Sequence, residues 1–247
     1  MKKFDMSRAW DDAVELARSY AALTAPVVGT LVLLPAFAFA ILGPVPIEPP
    51  ADATLAELGA IIRAELTRSL PILLVIAFLS TLASVIVMRL WLAPRGTSVG
   101  EAIAMAVGLV PNMLALFLIE IFAFGLAAAA LLLPAVYLTG RLAPSFAVLA
   151  AGDTRSPLAA LEQSWAMTRG NGWRIALMLF LVQLVLMIVT MLVDGVGGVF
   201  GARDSLGYAL ASLLSAALSA VAALIAFALN AAIYRQLAPA VTVRTFD

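Results

Sequence analysis

The sequence predicts an all-α fold: a polytopic transmembrane helical bundle of six spans with amphipathic surface helices. Three observations carry that expectation. Hydrophobic residues make up 64% of the 247 residues and charged residues only 12%, about half the charged share of an ordinary soluble domain. Mean hydropathy is +1.07. Uncharged apolar stretches long enough to cross a hydrocarbon core of roughly 30 Å recur along the chain. A soluble globule could not cover its own core with so few charges, so the surplus apolar surface must face lipid.

The same composition excludes several functions. Fifteen basic residues cancel fifteen acidic ones, which leaves no basic field for a nucleic-acid partner. The chain has no Cys and no His. It therefore lacks a thiol nucleophile, a disulfide framework, the commonest general base and the usual zinc or haem ligands. No cofactor, metal or catalytic residue is expected, and an enzyme is the weakest reading.

Residues 1–19 form a polar lead of mixed charge in which Trp10, Val14, Leu16 and Ala17 approach one helical face. A short interfacial helix is expected there, capped by Asp5 or Ser7. No charge appears from Tyr20 to Leu42, the first span. Ala38-Phe39-Ala40 resembles a signal-peptidase site, but an acidic lead is wrong for a signal peptide. Pro44, Pro46, Pro49 and Pro50 then stiffen a connector. Thr54 and Glu57 have the spacing of a capping box. Behind it Leu55, Leu58, Ile62 and Leu66 line one face of an amphipathic helix, expected on the membrane surface or over the bundle mouth.

Residues 70–92 are the second span. Arg89 is expected to snorkel outward and Trp91 to sit in the interfacial belt. Ser98 and Glu101 repeat the capping box. The region that follows, 102–152, carries only Glu120 and Arg141 as charges before its end. As one straight helix its first part would reach about 58 Å, nearly twice the core. Charge distribution decides how it folds. Two passes turning near Gly125 put only Arg63, Arg68 and Arg203 outside and the other twelve basic residues in the cytoplasm. One pass gives seven inside and eight outside. The positive-inside rule selects two passes, spans 103–124 and 127–150. Ser156-Pro157 starts a cytoplasmic helix through Trp165, with Arg169 in its last turn and Gly170 following. Spans 173–194 and 206–235 flank a loop containing Gly195, Gly197, Gly198 and Gly201. The membrane domain thus covers 20–237, with a cytoplasmic tail at 238–247.

Glu120 is the acidic side chain inside an apolar pass, where ionisable residues are functional candidates by default. A turn at Gly125 would leave it about 7 Å below the outer surface. There it would stay hydrated or pair with Arg63 or Arg68, while Arg141 would lie about 24 Å away in depth. The weight falls on a structural role, with ion or substrate contact as the sharper reading. Asn112, Gln183 and Asn230 are expected to join helices through amide hydrogen bonds. Ser212, Ala216 and Ala220 form a small-residue face suited to internal packing, with a dimer seam as the alternative.

Leu131-Leu132-Leu133-Pro134 through Thr139-Gly140-Arg141-Leu142-Ala143-Pro144, followed by Ala159, Leu161, Ser164-Trp165, Thr168-Arg169-Gly170 and Trp173, resembles the bacterial glycerophosphoryl diester phosphodiesterase membrane-domain family and its six-span relatives. About 45 residues carry the likeness. Pro134-Ala135 stands where relatives often have Pro-Gly, and no attached phosphodiesterase barrel is expected. The resemblance implies six spans and a bacterial inner membrane, and transfers no catalytic residue. In the shared cluster Trp165 would anchor the cytoplasmic helix, and Arg169 and Arg174 would meet anionic headgroups at about 1 kcal/mol each. The alternative makes Ser164, Trp165, Thr168 and Arg169 a cap and bundle contact.

Together these observations point to a non-catalytic integral membrane protein with both termini cytoplasmic and a structural, accessory or lipid-associated role. The expected partners are membrane lipids, with a membrane protein or a second copy as further partners. The alternative is a transporter or channel for a lipid or small solute, using Glu120 and breaks at Pro111 and Pro134. A polar cavity in the membrane interior would favour transport; a dry, small-residue core would favour the accessory role.

Overall fold

A computed structural model describes residues 3–45, 47, 49–50, 52–93, 97–130, 132–197 and 205–238. Among them the fold is all-α, with six helices long and apolar enough to cross a membrane. Pro94, Arg95, Gly198, Gly201, Arg203 and the tail from 239 lie outside the described residues.

Helix α1 (Met6–Ser19) is capped by Asp5, whose side chain accepts from the Arg8 N–H at 3.1 Å. Its buried side is Ala9, Ala13 and Leu16, whereas Trp10 is 43% exposed. The helix is therefore docked on the bundle rather than floating on lipid through Trp10. The Phe4 N–H donates to Asn171 Oδ1 at 3.1 Å, and the Asp5 backbone exchanges two hydrogen bonds with the Gln236 amide. Small residues let α1 approach closely, and these three bonds fix its register.

The first span runs from α2 (Ala21–Val28) through a π-helical turn (Gly29–Leu33) into α3 (Leu34–Leu42). The turn directly precedes Pro35, which has no N–H to give back to the helix. Widening the preceding turn shifts the ladder so that the Leu34 N–H reaches the Gly29 carbonyl.

Helix α4 (Leu55–Leu92) is a single 38-residue rod, about 57 Å long. The Thr54–Glu57 capping box forms as the sequence indicates. The amphipathic segment behind it is not a separate surface helix, because it continues unbroken through Pro71 into the span. Leu55, Ile62 and Leu66 on it are exposed.

Helix α5 (Val99–Gly108) begins at the second capping box, where Ser98 Oγ accepts from the Glu101 N–H and Glu101 Oε2 accepts from the Ser98 N–H and hydroxyl. The Ser98 N–H, and then its hydroxyl, hold the Glu101 carboxyl below its ordinary pKa. A depressed folded-state pKa gives stability that is full above the unfolded value near 4.5 and lost as pH falls through the folded value. Acidification below pH 4.5 should fray α5 in the parent more than in Glu101→Gln, as read by amide exchange at residues 99–102.

Helix α6 (Val110–Ala130) and helix α7 (Leu132–Leu142) form a hairpin. A hydrogen bond joins the two arms: Ser145 donates to Glu120 at 2.6 Å, although 25 residues of straight helix would separate them by about 38 Å. Helix α6 ends at Ala130 and α7 begins at Leu132, both beyond Gly125, and the third span starts at Val110 rather than 103. Gly125 lies in uninterrupted helix, and the alanines at 127–130 extend it. Pro111 and Pro134 sit in first turns, where a missing N–H is harmless; neither breaks a span. The break is at Pro144, which separates α7 from α8 (Ser145–Ala151).

Helix α8 is almost wholly buried against α4. Gly152 closes it at φ +89°, with the Asp153 N–H bonding back to the Val148 carbonyl. Arg89 does not snorkel: its Nη1 donates to the Ala150 and Ala151 carbonyls at 3.2 and 3.0 Å. Trp91 is buried rather than interfacial. Helix α9 (Pro157–Met167), capped by Ser156, ends two residues before Arg169. Gly170 follows at φ +79°. Helix α10 (Gly172–Gly197) and helix α11 (Leu206–Leu237) complete the bundle. Ser212, Ala216 and Ala220 of α11 are buried within this chain, so the small-residue face packs internally.

Leu126 and Arg155 are both exposed, on opposite sides of the α7–α8 pass. Single cysteines there should label with membrane-impermeant maleimide from opposite faces of right-side-out and inverted vesicles. Labelling of both from one face would break the six-span topology.

Candidate functional site

Two assemblies collect the polar residues of the membrane domain. The first is a knot around Arg141 in the last turn of α7. Glycines at 140 and 172 let α7 and α10 approach until a Cβ on Gly140 would collide with the Gly172 carbonyl oxygen and lie 2.6 Å from the Ala176 nitrogen. A Cβ on Gly172 would meet the Arg141 Cδ at 2.7 Å and the Tyr137 ring at 2.9 Å. That contact buries Arg141 to 3% exposure. Its guanidinium lies over the Trp165 ring, 4.1 Å from the centroid, and 5.9 Å from the Tyr137 centroid. Nη2 donates to the Trp165 carbonyl at 2.6 Å, while Nε has no hydrogen-bond partner.

The Arg141 carbonyl accepts from Ser164 Oγ at 2.8 Å and Thr168 Oγ1 at 3.3 Å. Both donors are fully buried. Tyr137 also packs against Trp165 and Trp173. The sequence cluster Arg141, Ser164, Trp165 and Thr168 is thus one unit that fastens α9 to the end of α7. Arg169 and Arg174 are exposed beside it and do not join it. Tyr137 was missed by sequence reasoning, although its i, i+4 spacing to Arg141 puts the two on one helical face.

The second assembly is a cavity of about 340 Å³ between α6, α7, α8, α10 and α11, within the size range of small-molecule sites. Glu120, Gln183 and Asn230, one from each of three spans, all line it, joined by Ser145 and Thr139. The rest of the wall is apolar and includes Phe124, Phe146 and Phe180. Phe180 and Gln183 are exposed in mid-α10, so the cavity opens sideways along that helix rather than at its end.

Glu120 lies ten residues, about 15 Å, from either end of α6. It is mid-span, not just below the outer surface as a turn at Gly125 implies. Nor does it pair with Arg63 or Arg68; Arg68 lies 3.6 Å from Glu65. Among the described residues the Glu120 carboxylate has one hydrogen bond, from Ser145, and no ion pair. The Ser145 hydroxyl is used on Glu120 and the Thr139 hydroxyl on the Val136 carbonyl. The side-chain amides of Gln183 and Asn230 make no hydrogen bond to the described residues, so they do not join helices as expected. Ser145 was missed because nothing marks a lone serine after proline until the hairpin brings it to Glu120.

No family model matches the chain, and neither a curated protein nor a solved structure matches it.

Proposed function

We propose that this chain is a non-catalytic integral membrane protein that takes an amphiphilic molecule, lipid-derived or a small solute, into its intramembrane cavity. The observation that supports it is the convergence of Glu120, Gln183 and Asn230 on a single, otherwise apolar space. Polar side chains are costly in a span unless paired, and they cluster where a substrate or ion is met. Here their hydrogen-bonding capacity is largely unspent among the described residues and faces a cavity with a side opening. A guest whose polar head meets these groups and whose tail lies along the phenylalanines satisfies both parts of the wall.

Contact with anionic lipid at Arg169 and Arg174, both exposed, belongs to the same reading. So does a bacterial inner-membrane location with both termini cytoplasmic, supported by the twelve-to-three distribution of basic residues.

Ala226→Phe tests the reading, because Ala226 lines the cavity and the larger ring fills it. After purification in mild detergent, native mass spectrometry should show an amphiphile retained at least tenfold more by the parent than by Ala226→Phe. Equal retention by a variant whose unfolding midpoint matches the parent would overturn the reading.

A further inference from the structure

We propose that the cavity selects a cationic amphiphile, an apolar chain or ring system carrying an ammonium group and no phosphate; this rests on the cavity-binding reading above. The wall is asymmetric in charge. Glu120 contributes a carboxylate, and none of the lining residues is Lys or Arg. Arg141, the other charge of the hairpin, is committed to Trp165 and does not line the space. Ser145 supplies a single neutral hydrogen bond to the carboxylate. An ionised carboxylate taken out of water needs a cation, and its attraction for one is strong in a low-dielectric site.

The remaining groups agree with that sign. The protons of Thr139 and Ser145 already point at protein oxygens, so these hydroxyls have only lone pairs to offer. Gln183 and Asn230 add two amide oxygens. Phe124, Phe146 and Phe180 present rings, whose negative faces attract ammonium groups. An anionic head would meet Glu120 with no compensating cation, and a phosphate-bearing zwitterion would have nowhere to seat its phosphate. A primary ammonium carries three donors, as many as the carboxylate and the two amide oxygens on this wall can share. The side opening at Phe180 and Gln183 suits a guest that partitions into the bilayer before binding.

The experiment is calorimetric titration of the full-length protein in zwitterionic-lipid nanodiscs, with protein-free discs as reference. The probes are dodecylammonium, dodecanol and dodecyl phosphate. Dodecylammonium should show saturable binding that dodecanol and dodecyl phosphate match at least tenfold more weakly. Glu120→Gln should weaken dodecylammonium at least tenfold. Gln183→Ala, at the exposed rim and so tolerant of folding, should weaken it severalfold and serves if Glu120→Gln does not fold. Dodecanol or dodecyl phosphate binding as tightly as dodecylammonium, with loss only in Ala226→Phe, would overturn the charge selectivity and leave the cavity reading intact. Saturable binding by none of the three would overturn both.

Discussion

Gly140→Val is expected to be the most damaging single substitution in the membrane domain. Its new Cβ points at the backbone of α10, where the Gly172 carbonyl oxygen and the Ala176 nitrogen already fill the space. Backbone cannot swing aside as a long side chain can, so α7 and α10 must separate. Overpacking in a well-filled core costs about 1–3 kcal/mol and more where backbone is displaced; about 3 kcal/mol is expected here. The separation also undoes the burial of Arg141 that the same contact creates. The variant should lose a monodisperse elution profile in mild detergent or unfold about 6–12 °C below the parent, the shift that about 3 kcal/mol implies. A midpoint within 2 °C of the parent would show that the helices do not meet at these glycines.

Arg141→Ala ranks second. It deletes a cation–π contact of about 2 kcal/mol in a desolvated setting, and a charge-assisted hydrogen bond of about 1.5–3 kcal/mol to the Trp165 carbonyl. Against that stands relief from burying a guanidinium that has no carboxylate partner among the described residues. The lost contacts and the space left under Trp165 outweigh the relief, for a net loss of about 3 kcal/mol in detergent unfolding. Arg141→Lys should recover less than half, because an ammonium neither lies flat on the indole nor presents a planar fork. Full recovery by lysine would mean that charge alone holds the knot. Ser164→Ala separates the parts further, since it removes one bond to the Arg141 carbonyl and leaves the guanidinium in place.

Much of this architecture is legible in the residues. Both capping boxes and the Asp5 and Ser156 caps are short-range, set by residues three or four apart, and all form. The number of passes follows from span length and the placement of Arg and Lys, and the Glu120–Ser145 bond agrees with it. The reversal itself was misplaced because Gly125 is the only turn residue in sight, while helix propensity carries α6 to Ala130. Arg89, Trp91 and α1 were misread for one shared reason. Amphipathic residues near a helix end serve equally at a lipid interface or against another helix, and hydropathy does not distinguish the two environments.

The site divides in the same way. The cluster Arg141, Ser164, Trp165 and Thr168 was visible as a group, and its members do meet. The cavity was not visible. Glu120, Gln183 and Asn230 are separated by 63 and 47 positions, and each alone reads as a helix–helix tether. Only the packing of α6 on α7, of α7 on α10 and of α10 on α11 brings them to one cavity, and it depends on details such as Gly140 on Gly172 that no single helix encodes.

The seating of α1 has a consequence for biosynthesis. Phe4 and Asp5 are synthesised 167 and 231 residues ahead of Asn171 and Gln236, which receive them. Helix α1 must therefore wait, unattached, until the chain has been made through α11, and its docking is a late event rather than a nucleating one. A nascent chain arrested before residue 236 would carry that helix loose, readily cleaved by an added protease that spares the chain in which α11 is complete.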